Sequence, residues 1–303
     1  SLLAFSSYDG SSTITFDATG YNPNQLVKLI DYTGTGSVDY ASIISNYGDY
    51  DFTVMNNDLY VGKADMSVIN VNSNWADKNP GDEVSSGSIF GINAFASVEA
   101  AAEAWANNNS ILMLDPASSL KENTAQLKFK NRNIDMSISG QAPEHAIPFL
   151  QIDNETEGLK GDLRITNAEF QAYKLDIRRN ANLSVVNSKI TFVYGAGYDP
   201  TFAAYYNGNV TITNSTIVDG QLTTTGNMTL NNTDWKTYFN LRVWENGQLR
   251  ILNGSNVGIN NLSIGKAYEG RTNPGRGDTA EMLVDNSTVY TRTDAYDYES
   301  KTL

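Results

Sequence analysis

The chain has no cysteine and a single histidine in 303 residues. Thiol catalysis, disulfides and thiolate metal sites are therefore excluded, and one histidine with no serine or cysteine partner motif makes no triad. No stretch of about 18 consecutive apolar residues occurs, so no helical membrane span is encoded and direct membrane insertion is not expected. Cations are scarce too. Lys and Arg number 21 against 34 Asp and Glu, a net charge of -13, and both nucleic acid and anionic membranes call for the opposite balance. The opening SLLAFSSYDG lacks the basic flank and long apolar core of a signal peptide. A secreted parent would therefore carry this chain as an internal piece.

Apolar residues are plentiful. At 40% hydrophobic the chain can bury a core, which excludes global disorder. The most informative feature is a repeat: Gly or Ala, any residue, an aliphatic, any residue, an aliphatic or Phe, any residue, then Asn. It occurs as AQLKFKN, GDLRITN, ANLSVVN, GNVTITN, GNMTLNN, GQLRILN and AEMLVDN, ending at Asn131, Asn167, Asn187, Asn214, Asn232, Asn253 and Asn286. Successive endpoints are 36, 20, 27, 18, 21 and 33 residues apart.

Each copy has the period-2 alternation of a short strand bounded by turn formers. Intervals near 20 leave no room for a crossover helix. They fit one solenoid coil of about three short strands, whose stacking buries the aliphatics in a continuous column. In GNVTITN this places Val210 and Ile212 inward, and Thr211 and Thr213 outward. The terminal Asn tolerates left-handed backbone angles, and its amide can bond the equivalent amide of neighbouring coils. Of the N-x-S/T acceptor sequences at Asn209 and Asn214, that ladder leaves Asn209 as the freer. AIPFLQID (146–153) reads as an extra strand in the first long interval, and KAYEGRTNPGRGDTA (266–280) as a loop in the last. The rival architecture is a β-sandwich with hairpins every 8–12 residues or so. The constant register of the copies favours an all-β, single-stranded parallel β-helix.

Residues 97–107, SVEAAAEAWAN, form the one clear helix, with Ser97 as N-cap and Glu99 in the first turn. Val98, Ala101, Ala102 and Trp105 fall on one stripe. Such a helix would cap the open first coil, with Trp105 as a core plug. The domain division expected is 1–63, a short β-rich segment that could close a preceding module, and 64–303, the β-helix; residues 14–38 and 50–64 read as short strands and Gly/Asn turns with no helix. DAYDYESKTL follows the seventh copy closely, so tandem copies of the module are expected in a longer parent.

The stretch 71–114, followed by 120–140, resembles the opening of pectin-lyase-like right-handed parallel β-helices. Asp77, Asn79, Pro80 and Gly81 match the D-x-N-P-G turn, and NAFASVEAAAEAW the capping helix. The later Gly-x-Φ-x-Φ-x-Asn-Ser/Thr copies are similar to passenger domains of bacterial surface adhesins and autotransporters. The resemblance covers about residues 70–290. It implies the fold and a bacterial, extracellular or cell-surface setting, and it leaves function open, because this fold serves lyases, hydrolases, tailspikes and adhesins.

Enzymes of that fold rest on acidic clusters. Asp162 and Asp176, with Arg178 and Arg179, are candidates, as are Asp219 and Asp234, but no pair repeats in phase. His145 reads as a loop residue. DNETEGLKGDLR (153–164) resembles an EF-hand loop but has Arg164 at the last position, where Glu is needed. A weaker Ca²⁺ site around Asp153, Glu155 and Glu157 is the one cofactor to consider; otherwise no cofactor or metal is expected. Aromatics cluster between 194 and 244, and Tyr198, Tyr205, Tyr206, Trp235, Tyr238 and Trp244 are candidates for stacking on sugars. Their plainer role is to seal coil turns. Arg276-Gly277-Asp278, in a Gly/Pro-rich loop, resembles the integrin-recognition tripeptide and is a candidate protein contact. The expected function is a non-catalytic adhesin or stalk module binding glycans or host or cell-surface proteins. A polysaccharide lyase or glycoside hydrolase is the alternative.

Overall fold

The computed structural model describes residues 3–5, 22–23, 25–46, 49–116, 125–194, 200–265 and 279–291. Two hydrophobic cores with no residue in common organise them. The smaller joins Leu29, Ile30, Tyr40, Ile43, Leu59 and Val61. It lies on a sheet with strand order Leu3–Phe5, Val27–Tyr32, Asp58–Val61, Phe52–Met55. Asn56 and Asn57, both at positive φ, close the last hairpin, where the twist of the strands requires left-handed backbone. Between the two stretches read as strands and turns lies a short helix that neither stretch includes: α1 (Ala41–Asn46) starts beside Asp39, whose carboxylate accepts the Ala41 N–H at 2.9 Å. Six residues are too few for helical periodicity to register in the sequence.

From Val68 to Thr291 the described residues form a parallel β-solenoid of about 8 turns. It opens under α2 (Val98–Asn108), whose Ser97 cap accepts the Ala100 N–H at 3.2 Å. Val98, Ala101, Ala102, Trp105 and Ala106 are the buried stripe. Trp105 meets Phe129 edge-on at 6.0 Å, and its Nε1 donates to the carbonyls of Ser110 and Ser137. A polar indole N–H is thus buried without penalty.

Each full coil has three faces. The first carries the repeat (161–166, Ala181–Val186, Asn209–Thr213, Asn227–Asn231, Gln248–Leu252, Glu281–Asp285). The second runs from 168–172 through Lys189–Phe192, Thr216–Val218, Asp234–Lys236 and Asn256–Ile259 to Thr288–Thr291. The third runs from 149–153 through 174–177, Thr201–Ala204, Gln221–Thr224 and Asn240–Trp244 to Asn261–Gly265. All pairings between coils are parallel, and those after the bulged pairing of 134–153 with 161–177 keep register, which excludes the sandwich. Inward side chains therefore stack by kind: Met136, Leu163, Leu183, Val210, Met228, Leu249 and Met282 form one column. Phe170, Ile190, Ile217, Trp235, Val257 and Val289 form another.

Between the first and second faces, Asn167, Asn187, Asn214, Asn232, Asn253 and Asn286 all sit at φ near +50°. The hydroxyls just beyond, on Ser188, Ser215, Thr233 and Ser255, are buried and bond the backbone of their own corner. Between the third and first faces the coils approach so closely that Cβ atoms on Gly208, Gly226 and Gly247 would lie 2.4–2.5 Å from carbonyl oxygens of neighbouring residues.

Two expectations change. The copy ending at Asn131 belongs to the third face, since Gln126–Lys130 pairs with 149–153. The 36-residue interval is therefore no coil. Alternation ending in a left-handed Asn marks a corner, not one particular face. His145 is no loop residue: it is buried in a bulge between Ala142 and Ala146 of the strand Ile134–Asp153, which also contains 146–153.

Candidate ligand-binding face

The corner from the third face back to the first brings charged and aromatic residues of successive coils together. Arg178 hangs from Ile152 by its backbone N–H, and Tyr205 from Ile177. Asp153, Arg178–Arg179 and Tyr205–Tyr206 thereby stack in order. Asp176, on the same face, lies between Gln151 and Ala203 in register.

Asp153 and Asp176 are wholly buried. Two ions of one sign are tolerated there only because arginine saturates them. Arg178 clamps Asp176, with Nε at 3.0 and 3.1 Å from its two oxygens and Nη2 at 2.7 Å. Arg179 holds Asp153 through Nε and Nη2, both at 3.0 Å, and reaches Glu155 at 2.6 Å. Burial opposes the charge on Arg178, but hydrogen bonding to Asp176 and the charges of Asp176 and Asp153 outweigh it and raise its pKa. Burial, helped by the charge of Asp176, pushes the Tyr205 hydroxyl up as well.

The guanidiniums also hold rings. Arg178 lies 5.7 Å from the Tyr205 ring centre and 5.9 Å from that of Tyr206, and Arg179 lies 5.2 Å from Tyr206. The two rings are 6.1 Å apart, and Tyr206 is 36% exposed. Tyr206 sits in left-handed backbone at φ +50°, as Glu245 does at the corresponding corner of a later coil and Asn at the first-to-second corners, and its exposed ring faces outward from the stack. Chemically this is a flat, cation-backed aromatic surface flanked by carboxylates already spoken for. It suits stacking and hydrogen bonding, while a general base would need an unclamped carboxylate.

The other sequence candidates separate. Trp235 is an interior residue with no exposure, set in the second-face column, its Nε1 donating to Asp219 O at 3.1 Å. It cannot meet a sugar. Trp244, on the third face, is half-buried under Arg242 at 5.0 Å and donates to Ser263. Tyr238 lies at the corner between second and third faces, where Tyr194 and Phe239 also stack, 5.8 Å apart. Tyr198 and Arg276-Gly277-Asp278 lie outside the described residues. Asp162 is on the first face, away from Asp176, and Asp234 pairs with Lys236. Asp153 and Glu155, raised above as Ca²⁺ ligands, bond Arg179 instead, and no group of three acidic or histidine side chains suited to a metal occurs among the described residues.

The amide ladder runs only in part where expected. Of the corner residues, Asn232 donates to Asn214 at 2.9 Å, but Asn253 donates to Asn231. The longer ladder is at the start of the first face: Asn227 to Asn209 to Asn182 to Asp162. Asn209 is thus occupied on both its amide nitrogen and its oxygen, which reverses the expectation that it is the freer acceptor sequence. The signal lay in the variable residue after Gly or Ala, which is Asp, Asn, Asn, Asn, Gln and Glu in the six first-face copies.

No family model matches the chain, and no curated protein and no solved structure matches it.

Proposed function

We propose that this chain is a non-catalytic module of a bacterial extracellular or surface protein, a β-solenoid stalk that binds a glycan through its third-face corner. The reading follows the pectin-lyase-like and adhesin resemblance of residues 70–290. The observation that carries it is the Tyr205–Tyr206 pair backed by Arg178 and Arg179. A sugar offers C–H faces to stack on Tyr206 and hydroxyls to reach the arginine and carboxylate edges. The clamped state of Asp153 and Asp176 supports binding over turnover. The polysaccharide-degrading alternative rests on the same carboxylates, and one experiment separates the two. The protein is incubated with neutral and uronic-acid polysaccharides, with and without Ca²⁺, and is displayed against a glycan array. Binding without new reducing ends, weakened about tenfold or more by Tyr206→Ala, is expected. Unsaturated or shortened products would overturn the reading.

A further inference from the structure

A cleft of about 650 Å³ lies between the N-terminal sheet and the start of the stack. That is the size range of small-molecule sites, and junctions between two packed units are where such sites concentrate. Its walls are pinned to each other. Tyr60, from Asp58–Val61, is buried and donates its hydroxyl to Gly81 O at 2.7 Å, in the turn that begins the stack. Gly81 accepts this because it has no side chain: a Cβ there would lie 2.6 Å from that hydroxyl.

The lining has a definite chemistry. Lys28 is the one cation among the described lining residues, and it is committed: its Nζ lies 2.7 Å from Asp58 and 3.3 Å from Asp31, and 5.5 Å from the centre of the Tyr60 ring. Asp31, which pairs with Lys28, Asp65, which accepts the Ser67 N–H, and Glu83, which accepts the Gly87 N–H, bring carboxylates to the wall, each with lone pairs beyond those bonds. Gln25 and Ser86 add groups that both donate and accept, while Leu26, Val27 and Ile89 supply apolar surface. Acceptors therefore outnumber free donors, beside an apolar floor. A polyhydroxylated ligand matches on both counts, its O–H groups donating to the carboxylates and its C–H face lying on the aliphatics. A carboxylated, sulfated or phosphorylated ligand would meet three carboxylates with the only lysine already paired.

We propose that this cleft is a binding site for a sugar unit carrying no acidic group. It rests on the reading that the module binds glycans, and it places a second, separate contact about the start of the stack.

The test titrates the full chain with neutral and N-acetylated mono- and disaccharides, and with their uronic and sialylated counterparts, by ligand-observed NMR and calorimetry. Such ligands are too short to bridge two sites. Ser86→Trp puts an indole into the cleft from an exposed turn, Gln25→Ala removes one exposed amide, and Tyr206→Ala alters only the third-face corner. The expected result is a component of neutral-sugar binding that falls about tenfold in Ser86→Trp, falls less in Gln25→Ala and persists in Tyr206→Ala, apart from any component that Tyr206→Ala removes. Loss in Tyr206→Ala alone overturns the cleft site and leaves the glycan reading standing. A preference for uronic or sialylated ligands overturns the cleft's stated chemistry. Absence of binding by any sugar to the unmodified protein overturns both.

Discussion

Asn227 donates its side-chain N–H to Oδ1 of Asn209 at 2.9 Å, and Asn209 donates in turn to Asn182 at 3.1 Å. Every donor in the row points toward the earlier coil, and the row ends on Asp162, a carboxylate that only accepts. Aligned amides that terminate on an anion polarise one another in a favourable sense. Asn209→Ala opens the row at its middle, and a loss of about 1 kcal/mol in urea unfolding is expected. The matching substitution at the neighbouring Thr211, which faces outward without a ladder partner, serves as the control and should change little.

Trp235 fills the second-face column, edge-on to Phe202 at 5.5 Å. Trp235→Ala should cost about 3–5 kcal/mol, the range for emptying a large aromatic site. Trp244→Ala should cost far less, because that ring is only half-buried. Equal losses in thermal and denaturant melts of the two variants would contradict their different placement.

Arg178 is the sole side chain bonded to Asp176 among the described residues. Arg178→Ala strands a buried carboxylate and should destabilise the fold by about 3–5 kcal/mol. Replacing both residues by leucine should recover most of that loss, since the stranded charge goes with its partner. A double variant no better than the single would show that the guanidinium stabilises the corner by means other than neutralising Asp176.

Glu99 supplies a pH dependence. Its Oε1 is buried without a hydrogen bond, and burial raises its pKa against the lowering pull of backbone and Ser97 hydrogen bonds. A carboxyl with a raised folded pKa binds its proton more tightly when folded, so its effect favours folding at low pH and is lost as pH rises through that pKa. Glu99→Gln removes the penalty of the charged form. The variant should match the native protein below the ordinary glutamate pKa and become the more stable of the two above the raised one. Parallel stability–pH curves across that window would count against it.

The fold was legible because one face of every coil repeats its chemistry. Alternation and a fixed left-handed Asn recur at Asn167, Asn187, Asn214 and Asn232, with a hydroxyl following the last three, and local pattern and global register agree there. The second face was legible in principle. Three residues past those Asn positions stand Phe170, Ile190, Ile217 and Trp235, all inward. Trp235 was misassigned because a tryptophan in a turn-rich stretch reads as a surface residue unless the period is carried past the Asn. The third-face corner was partly legible. Arg178, Arg179 and Asp176 stand together in the chain, but Asp153 and Tyr206 join them only through stacking at separations of 26 and 28 residues from Arg179 and Arg178. The Lys28–Asp58–Tyr60 group left no trace in the sequence, because its members meet across antiparallel strands of the smaller sheet.

Among the described residues of this 303-residue chain, cover over the inward columns is uneven along the stack. Trp105 and α2 lie over the first coil, whereas Leu262, Ile264 and Val284, inward by register, are 47%, 47% and 42% exposed. Each coil touches only its neighbours, so such a stack loses order one coil at a time from whichever side opening costs least. The consequence is a polarity of motion. Amide hydrogen exchange should be fastest in Glu281–Asp285 and Thr288–Thr291 and slow steadily toward Asn209–Thr213, giving a rod whose two sides differ in rigidity although their rungs are built to one pattern.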